Sequence, residues 1–75
     1  MAFWVSAMQA YRLLTGEDDA AFCHKVTAAL NAGWALHGSP AYAFDAGTGR
    51  MRCAQAVVKD VPGADYDPGM KLGAL

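Results

Sequence analysis

Charge is what this chain has least of. Asp, Glu, Lys and Arg make up 17% of its 75 residues, against about 25% in an average globular domain. The basic residues Arg12, Lys25, Arg50, Arg52, Lys59 and Lys71 are scattered, and the net charge is −1. Nucleic-acid binding depends on clustered cations meeting phosphates, so this distribution argues against nucleic acid as the main partner. Cysteine is scarce as well. Cys23 and Cys53 are too few for a disulfide-dense secreted scaffold. No stretch approaches the ~20 apolar residues that span a bilayer. The opening MAFWVSAM is apolar, but it has neither a positive n-region nor a cleavage site and does not read as a secretory signal. These absences point to a cytoplasmic protein with reduced thiols.

Apolar residues, by contrast, reach 55%, above the usual ~45–50%. A chain this short forms one domain and buries only about 60% of the surface its unfolded form exposes. Small domains compensate with disulfides, a metal or association. With only two cysteines, association is the route that remains.

Along the chain, residues 1–9 show no clear period and read as an N-terminal extension, with Met8 a second plausible start. Residues 10–14 read as a short strand, Tyr11 and Leu13 on one face and Arg12 on the other. Glu17, Asp18 and Asp19 place negative charge where a helix dipole is positive. Thr15 with Asp18 fits a weak capping box, and Asp18 can equally serve as the N-cap. Residues 19–31 have helical spacing, with Phe22, Val26, Ala29 and Leu30 on one stripe and His24, Ala28 and Asn31 opposite. Gly33 suits the left-handed residue that ends a helix, and Trp34 is expected to fold back on the last turn.

Residues 35–45 predict a second strand, which Gly38-Ser39-Pro40 makes an edge strand or a bulged one, with Tyr42 and Phe44 on one face. Residues 46–49 form a hairpin loop. Residues 50–61 predict the longest strand: Met51, Cys53, Gln55 and Val57 line one face, and Ala54, Ala56 and Val58 the other with Arg50 and Arg52. Pro62-Gly63 ends it. The tail, residues 62–75, carries Tyr66, Met70 and Leu72 and is expected to dock in part.

The order is β-α-β-β, an α+β fold whose domain occupies residues 10–61. A right-handed helical crossover makes strands one and two parallel and leaves a gap that strand three fills antiparallel to both. The expected sheet is three-stranded and mainly antiparallel, in order 1-3-2, with the helix on one face. One helix cannot cover both faces. The open face is expected to meet another copy or a partner. The expected interface consists of Met51, Cys53, Gln55 and Val57, joined by Tyr66 and Met70 from the tail.

The segments YRLLTG (11–16), LNAGWALHGSP (30–40) and AQAVVK (54–59) resemble a family of short bacterial proteins known as domain of unknown function 1737. The resemblance covers roughly residues 11–59 and rests on the helix-ending Gly-Trp, the Gly-containing strand and the Gln-Ala-Val-Val-Lys strand. It implies the β-α-β-β fold. It implies no activity and no catalytic residues.

The polar constellations have plainer readings. Cys23, His24, His37 and Cys53 are the soft metal ligands, but there is no C-x-x-C pair and Cys23-His24 diverge by ~100° on a helix. A Cys-His nucleophile would need a depressed thiol pKa, for which no neighbouring cation is in sequence. Glu17, Asp18 and Asp19 suit a helix start better than an acid-base cluster. Asp60, Asp65 and Asp67 flank turns and do not have calcium-loop spacing. Gly47-Thr48-Gly49 lies in a hairpin and lacks the helix N-terminus that a phosphate loop uses. Gln55 sits mid-strand among apolar residues, where an unpaired amide would cost about 1–3 kcal/mol. It is expected either to face solvent or to bond across a subunit boundary or to a ligand.

The function expected is therefore a non-enzymatic assembly domain that forms a homo-oligomer or joins a protein complex, with no cofactor. A rival reading is a small-ligand binder. The β-α-β-β order looks like that of the dodecins, oligomers that hold flavins between aromatic rings at subunit contacts. Trp34, Tyr42 and Phe44 would be the stacking residues.

Overall fold

A computed structural model describes residues 7–75. The N-terminal extension expected over residues 1–9 lies outside the described residues up to residue 6. Its last three residues belong to the sheet, because the first strand, β1, runs Ala7–Glu17. It is followed by α1 (Ala20–Asn31), β2 (Ala35–Asp45), β3 (Arg50–Pro62) and a single 3-10 turn over Leu72–Ala74.

The sheet has the order β1-β3-β2, with β3 antiparallel to both neighbours. The α+β class, the β-α-β-β order and the 1-3-2 arrangement read from the sequence are all present. β1 is longer than the period of residues 10–14 suggested. Its register with β3 is continuous from Ala7↔Pro62 to Glu17↔Arg52, so pairing with β3 carries the strand through Thr15-Gly16. A side chain at Gly16 would meet the Phe22 ring at 3.1 Å, so glycine here lets α1 lie close on the sheet.

The helix cap lies one residue beyond Asp18 and four beyond Thr15, the two expected caps. Asp19, not Thr15 or Asp18, is the N-cap, in extended backbone conformation and with its Oδ1 accepting from Phe22 N–H at 3.1 Å. The helix ends as the sequence indicates. Gly33 has φ +96°, Gly33 N–H donates to Leu30 O and Trp34 N–H to Ala29 O, the paired bonds of a Schellman stop. Lys59 Nζ donates to Ala32 O at 2.9 Å, placing a cation at the negative end of the helix dipole.

The core lies between the sheet and a layer made of α1 and the tail. Met8, Ala10, Leu14, Ala29, Trp34 and Val57 are buried, and Phe22, Val26, Val61, Ala64, Met70, Leu72 and Leu75 pack against them. Of the tail, Ala64, Met70, Leu72 and Leu75 pack against this core, while Tyr66 is exposed. Trp34, only 3% exposed, has the Arg12 guanidinium 5.3 Å from its ring centre and the Lys59 ammonium at 5.9 Å.

Candidate functional site

Directly paired residues share a face of an antiparallel sheet, so the pairing sorts every strand residue. Met8, Ala10, Arg12, Leu14 and Gly16 of β1 pair with Val61, Lys59, Val57, Gln55 and Cys53 of β3. Arg12 lies over Trp34 and Gly16 lies under Phe22, so this is the covered face. Here the sequence reading needs correction. Met51, Cys53, Gln55 and Val57 do share a face, but it is the face beneath the helix and not the open one. Val57 is 0% and Gln55 5% exposed, and neither can meet a partner. Both faces of β3 look apolar in sequence, and only the placement of α1 distinguishes them. Met70 is half-buried against the core, whereas Tyr66 is exposed.

Gln55 has a third role that the sequence reading did not include. β2 and β3 lose register between His37↔Ala56 and Ala41↔Ala54: four steps on β2 match two on β3. Gly38 turns the bulge with φ +74°. The Gln55 amide then fills the gap from below, donating to Ala56 O at 2.9 Å, with Gly38 O at 3.3 Å and His37 O at 3.4 Å. The buried polar group is satisfied within its own chain. Gln55 is a bulge plug.

The polar clusters resolve into local structure. Glu17 pairs with Arg50 at 2.8 Å, and Arg52 with Asp45 at 3.4 Å. Asp18 accepts from the Tyr42 hydroxyl. That bond, together with burial and the carboxylate's charge, raises the Tyr42 pKa above its ordinary value. Asp45 Oδ1 accepts from Gly47 N–H at 2.9 Å within the hairpin loop. With Thr48 and Arg52 adding to it, this bond holds the Asp45 carboxyl below the usual range. Burial, then Asp18, Cys23 and Asp19, push the Cys53 thiol up, away from the thiolate a nucleophile requires. Cys53 pairs with Tyr42 on the covered side, and His37 with Ala56 on the other, so the sheet separates this imidazole from this thiol. Among the described residues no group of three His, Cys, Asp or Glu could hold a metal ion.

The aromatic set of the ligand-binding reading is divided. Trp34 is buried beside Lys59, while Tyr42 and Phe44 pair with Cys53 and Met51 and are exposed. From Lys59 to Cys53 the strand rises about 20 Å. Trp34 thus does not share one pocket with the other two.

The uncovered face is the remaining site. It consists of Gln9, Tyr11, Leu13, Thr15 and Glu17 on β1, Arg52, Ala54, Ala56, Val58 and Asp60 on β3, and Ala35, His37, Ala41 and Ala43 on β2. Tyr11 and Leu13 are 53% and 54% exposed and form a ridge along β1. Beside it Ala41, Ala43, Ala54, Thr15 and Arg52, with Tyr42 and Cys53 between them, line an open hollow of ≈ 420 Å³. The Glu17–Arg50 and Arg52–Asp45 pairs edge one end of the face, and Gln9 and Asp60 the other. An apolar centre with a charged rim is the anatomy of an interaction surface. Tyr11 and Leu13 were on one face in the sequence reading, but no signal there showed which face α1 would leave bare.

The sequence pattern of a protein family described as Domain of unknown function (DUF1737) matches residues 8–60. The chain belongs to this family. The match contains all of β1 from Met8, the whole of α1 and β2, and β3 up to Asp60, so the DUF1737 unit is the β-α-β-β sheet itself. The docked tail that completes the core lies beyond the matched residues. No curated protein and no solved structure matches the chain. No helix among the described residues is long and apolar enough to cross a membrane.

Proposed function

We propose that this DUF1737 protein is a non-enzymatic assembly domain that self-associates through the sheet face opposite α1. One observation carries the reading: Tyr11 and Leu13 stand exposed beside a surface of alanines on the bare face of a well-packed sheet. Five alanines, Ala35, Ala41, Ala43, Ala54 and Ala56, keep β2 and β3 flat there. A second sheet can approach such a surface to the ~10 Å spacing of packed sheets, with the Tyr11–Leu13 ridge filling the space the alanines leave. Among the described residues, Asp19 serves a cap, Asp45 a turn and Glu17 an ion pair, which favours structural over chemical roles for these carboxylates.

The test is the native mass of the full chain by light scattering at low micromolar concentration. An oligomer whose mass Ala56→Glu lowers supports the reading, because Ala56 sits at the centre of the bare face. A wild-type monomer overturns it. Tyr42 and Phe44, exposed on β2 with Leu36, favour a second reading in which that strip takes a small aromatic ligand. A chromophore absorbance in the purified protein, lost in Tyr42→Ala, would support it.

A further inference from the structure

The two edges of the sheet differ. Along β2 the edge is broken by the bulge and by Pro40, which has no N–H to donate. β1 has no proline and no bulge over its 11 residues. Its outward groups can be identified. Asp18 N–H donates to Met51 O at 3.3 Å, extending a ladder in which the even-numbered residues bond to β3. Odd-numbered residues therefore turn their N–H and C=O away from the sheet. Thr15 agrees, its carbonyl accepting from Lys25 Nζ at 2.8 Å. Among the described residues no bond reaches the outward backbone groups of Gln9, Tyr11 and Leu13.

We propose that β1 pairs antiparallel with β1 of a second copy about a twofold axis at Tyr11, joining two sheets into one of six strands. The Lys25 ammonium on Thr15 O bounds the free stretch, and its centre is Tyr11. In that register Tyr11 lies opposite itself and Gln9 opposite Leu13 of the second copy. The outward N–H groups of Gln9, Tyr11 and Leu13 of each copy then meet carbonyls. Arg12 falls opposite Ala10, so the two guanidinium groups are not directly opposed; an axis at Arg12 would set them face to face. Pairing β1 with β2 of another copy would be head-to-tail and open-ended, and the broken β2 edge blocks it. The twofold contact closes. It uses the strand edge and stands independently of the face contact proposed above.

Amide hydrogen exchange of the wild-type chain tests it. The amides of Gln9, Tyr11 and Leu13 should be protected as well as those of Ala10, Arg12 and Leu14, and should lose that protection on dilution to monomer. Alternation of fast odd and slow even amides at every concentration would overturn the proposal. Cross-linking gives a second measure, in a Cys23→Ser, Cys53→Ser background. Cα atoms of a hydrogen-bonded pair lie about 5.5 Å apart, within disulfide reach. Tyr11→Cys should therefore oxidise to a covalent dimer. Leu13→Cys should not, being displaced from its copy by about 13 Å of strand. No dimer from Tyr11→Cys, or equal dimer from Leu13→Cys, overturns the register. Adding Ala56→Glu should leave the Tyr11→Cys dimer intact, which separates failure of the edge contact from failure of the face contact.

Discussion

The two faces of this sheet come from the same three strands and do different work. The covered face has large side chains held by a second layer: Met8 and Leu14 of β1 and Val57 of β3 pack with Trp34 beneath α1 and the tail. The bare face has small ones, five alanines beside the Tyr11–Leu13 ridge. On β1 and β3 the volume sits where α1 and the tail bury it, whereas Leu36, Tyr42 and Phe44 on the same side of β2 stay exposed. The covered face is where folding free energy is concentrated, and the bare face is available for association.

Substitutions should divide along the same line. The largest effect is expected from Trp34→Ala, which opens a cavity under the tail and frees Arg12 and Lys59 from their ring. The expected loss is about 3–5 kcal/mol in chemical denaturation, most of the stability of a domain this small. Next comes Gln55→Leu, which keeps volume but leaves the carbonyls of the bulge without their donor, for a loss of about 1–3 kcal/mol. If Gln55→Leu were neutral, the bulge would be held by something other than its plug. Asp19→Ala removes the helix cap and should cost about 1 kcal/mol. Ala56→Glu on the bare face should change monomer stability by no more than about 0.5 kcal/mol, while lowering the mass of the oligomer seen by light scattering. A large stability loss from this substitution would erase the contrast between the faces.

The smallest effect is a pH dependence in the hairpin. Asp45 has a depressed folded-state pKa, chiefly from the Gly47 N–H. Its contribution to stability is present above the unfolded pKa of about 3.9 and is lost as pH falls through the lower folded value. A carboxyl NMR titration should place the Asp45 midpoint below that of an unpaired aspartate, and Gly47→Pro should raise it. Tyr42 has the opposite sign. Its raised pKa means that the Asp18–Tyr42 contribution holds below the ordinary phenol value and is lost as pH rises through the folded one.

Much of the fold was legible because it is coded locally. The Phe22, Val26 and Ala29 stripe, the Gly33-Trp34 stop and the Gly38-Ser39-Pro40 interruption each state a backbone preference within a few residues, although Leu30, read on the same stripe, is exposed. The bounds of β2 are those the pattern indicated. What was misread depends on distant parts of the chain. Thr15-Gly16 looks like a break in sequence, yet it is strand because Ala54 and Cys53 lie opposite it. Gln55 looks like an interface residue until the bulge 17 residues earlier supplies its acceptors. The helix cap moved from Asp18 to Asp19 because Asp18 is engaged with Tyr42, 24 residues away.

By itself the sequence determined the class, the element order and the 1-3-2 sheet. Periodicity, turn residues and the handedness of crossovers are local or chiral properties of the chain. It also determined that apolar surface would remain after folding, since one helix cannot cover two faces. Only the tertiary structure decided which face that is. β3 is apolar on both sides, and a strand's pattern records alternation without recording which side the helix takes. The entry of the chain from β1 into α1 and the docking of the tail made that choice. They placed Met51, Cys53, Gln55 and Val57 in the covered layer and left Tyr11 and Leu13 outside.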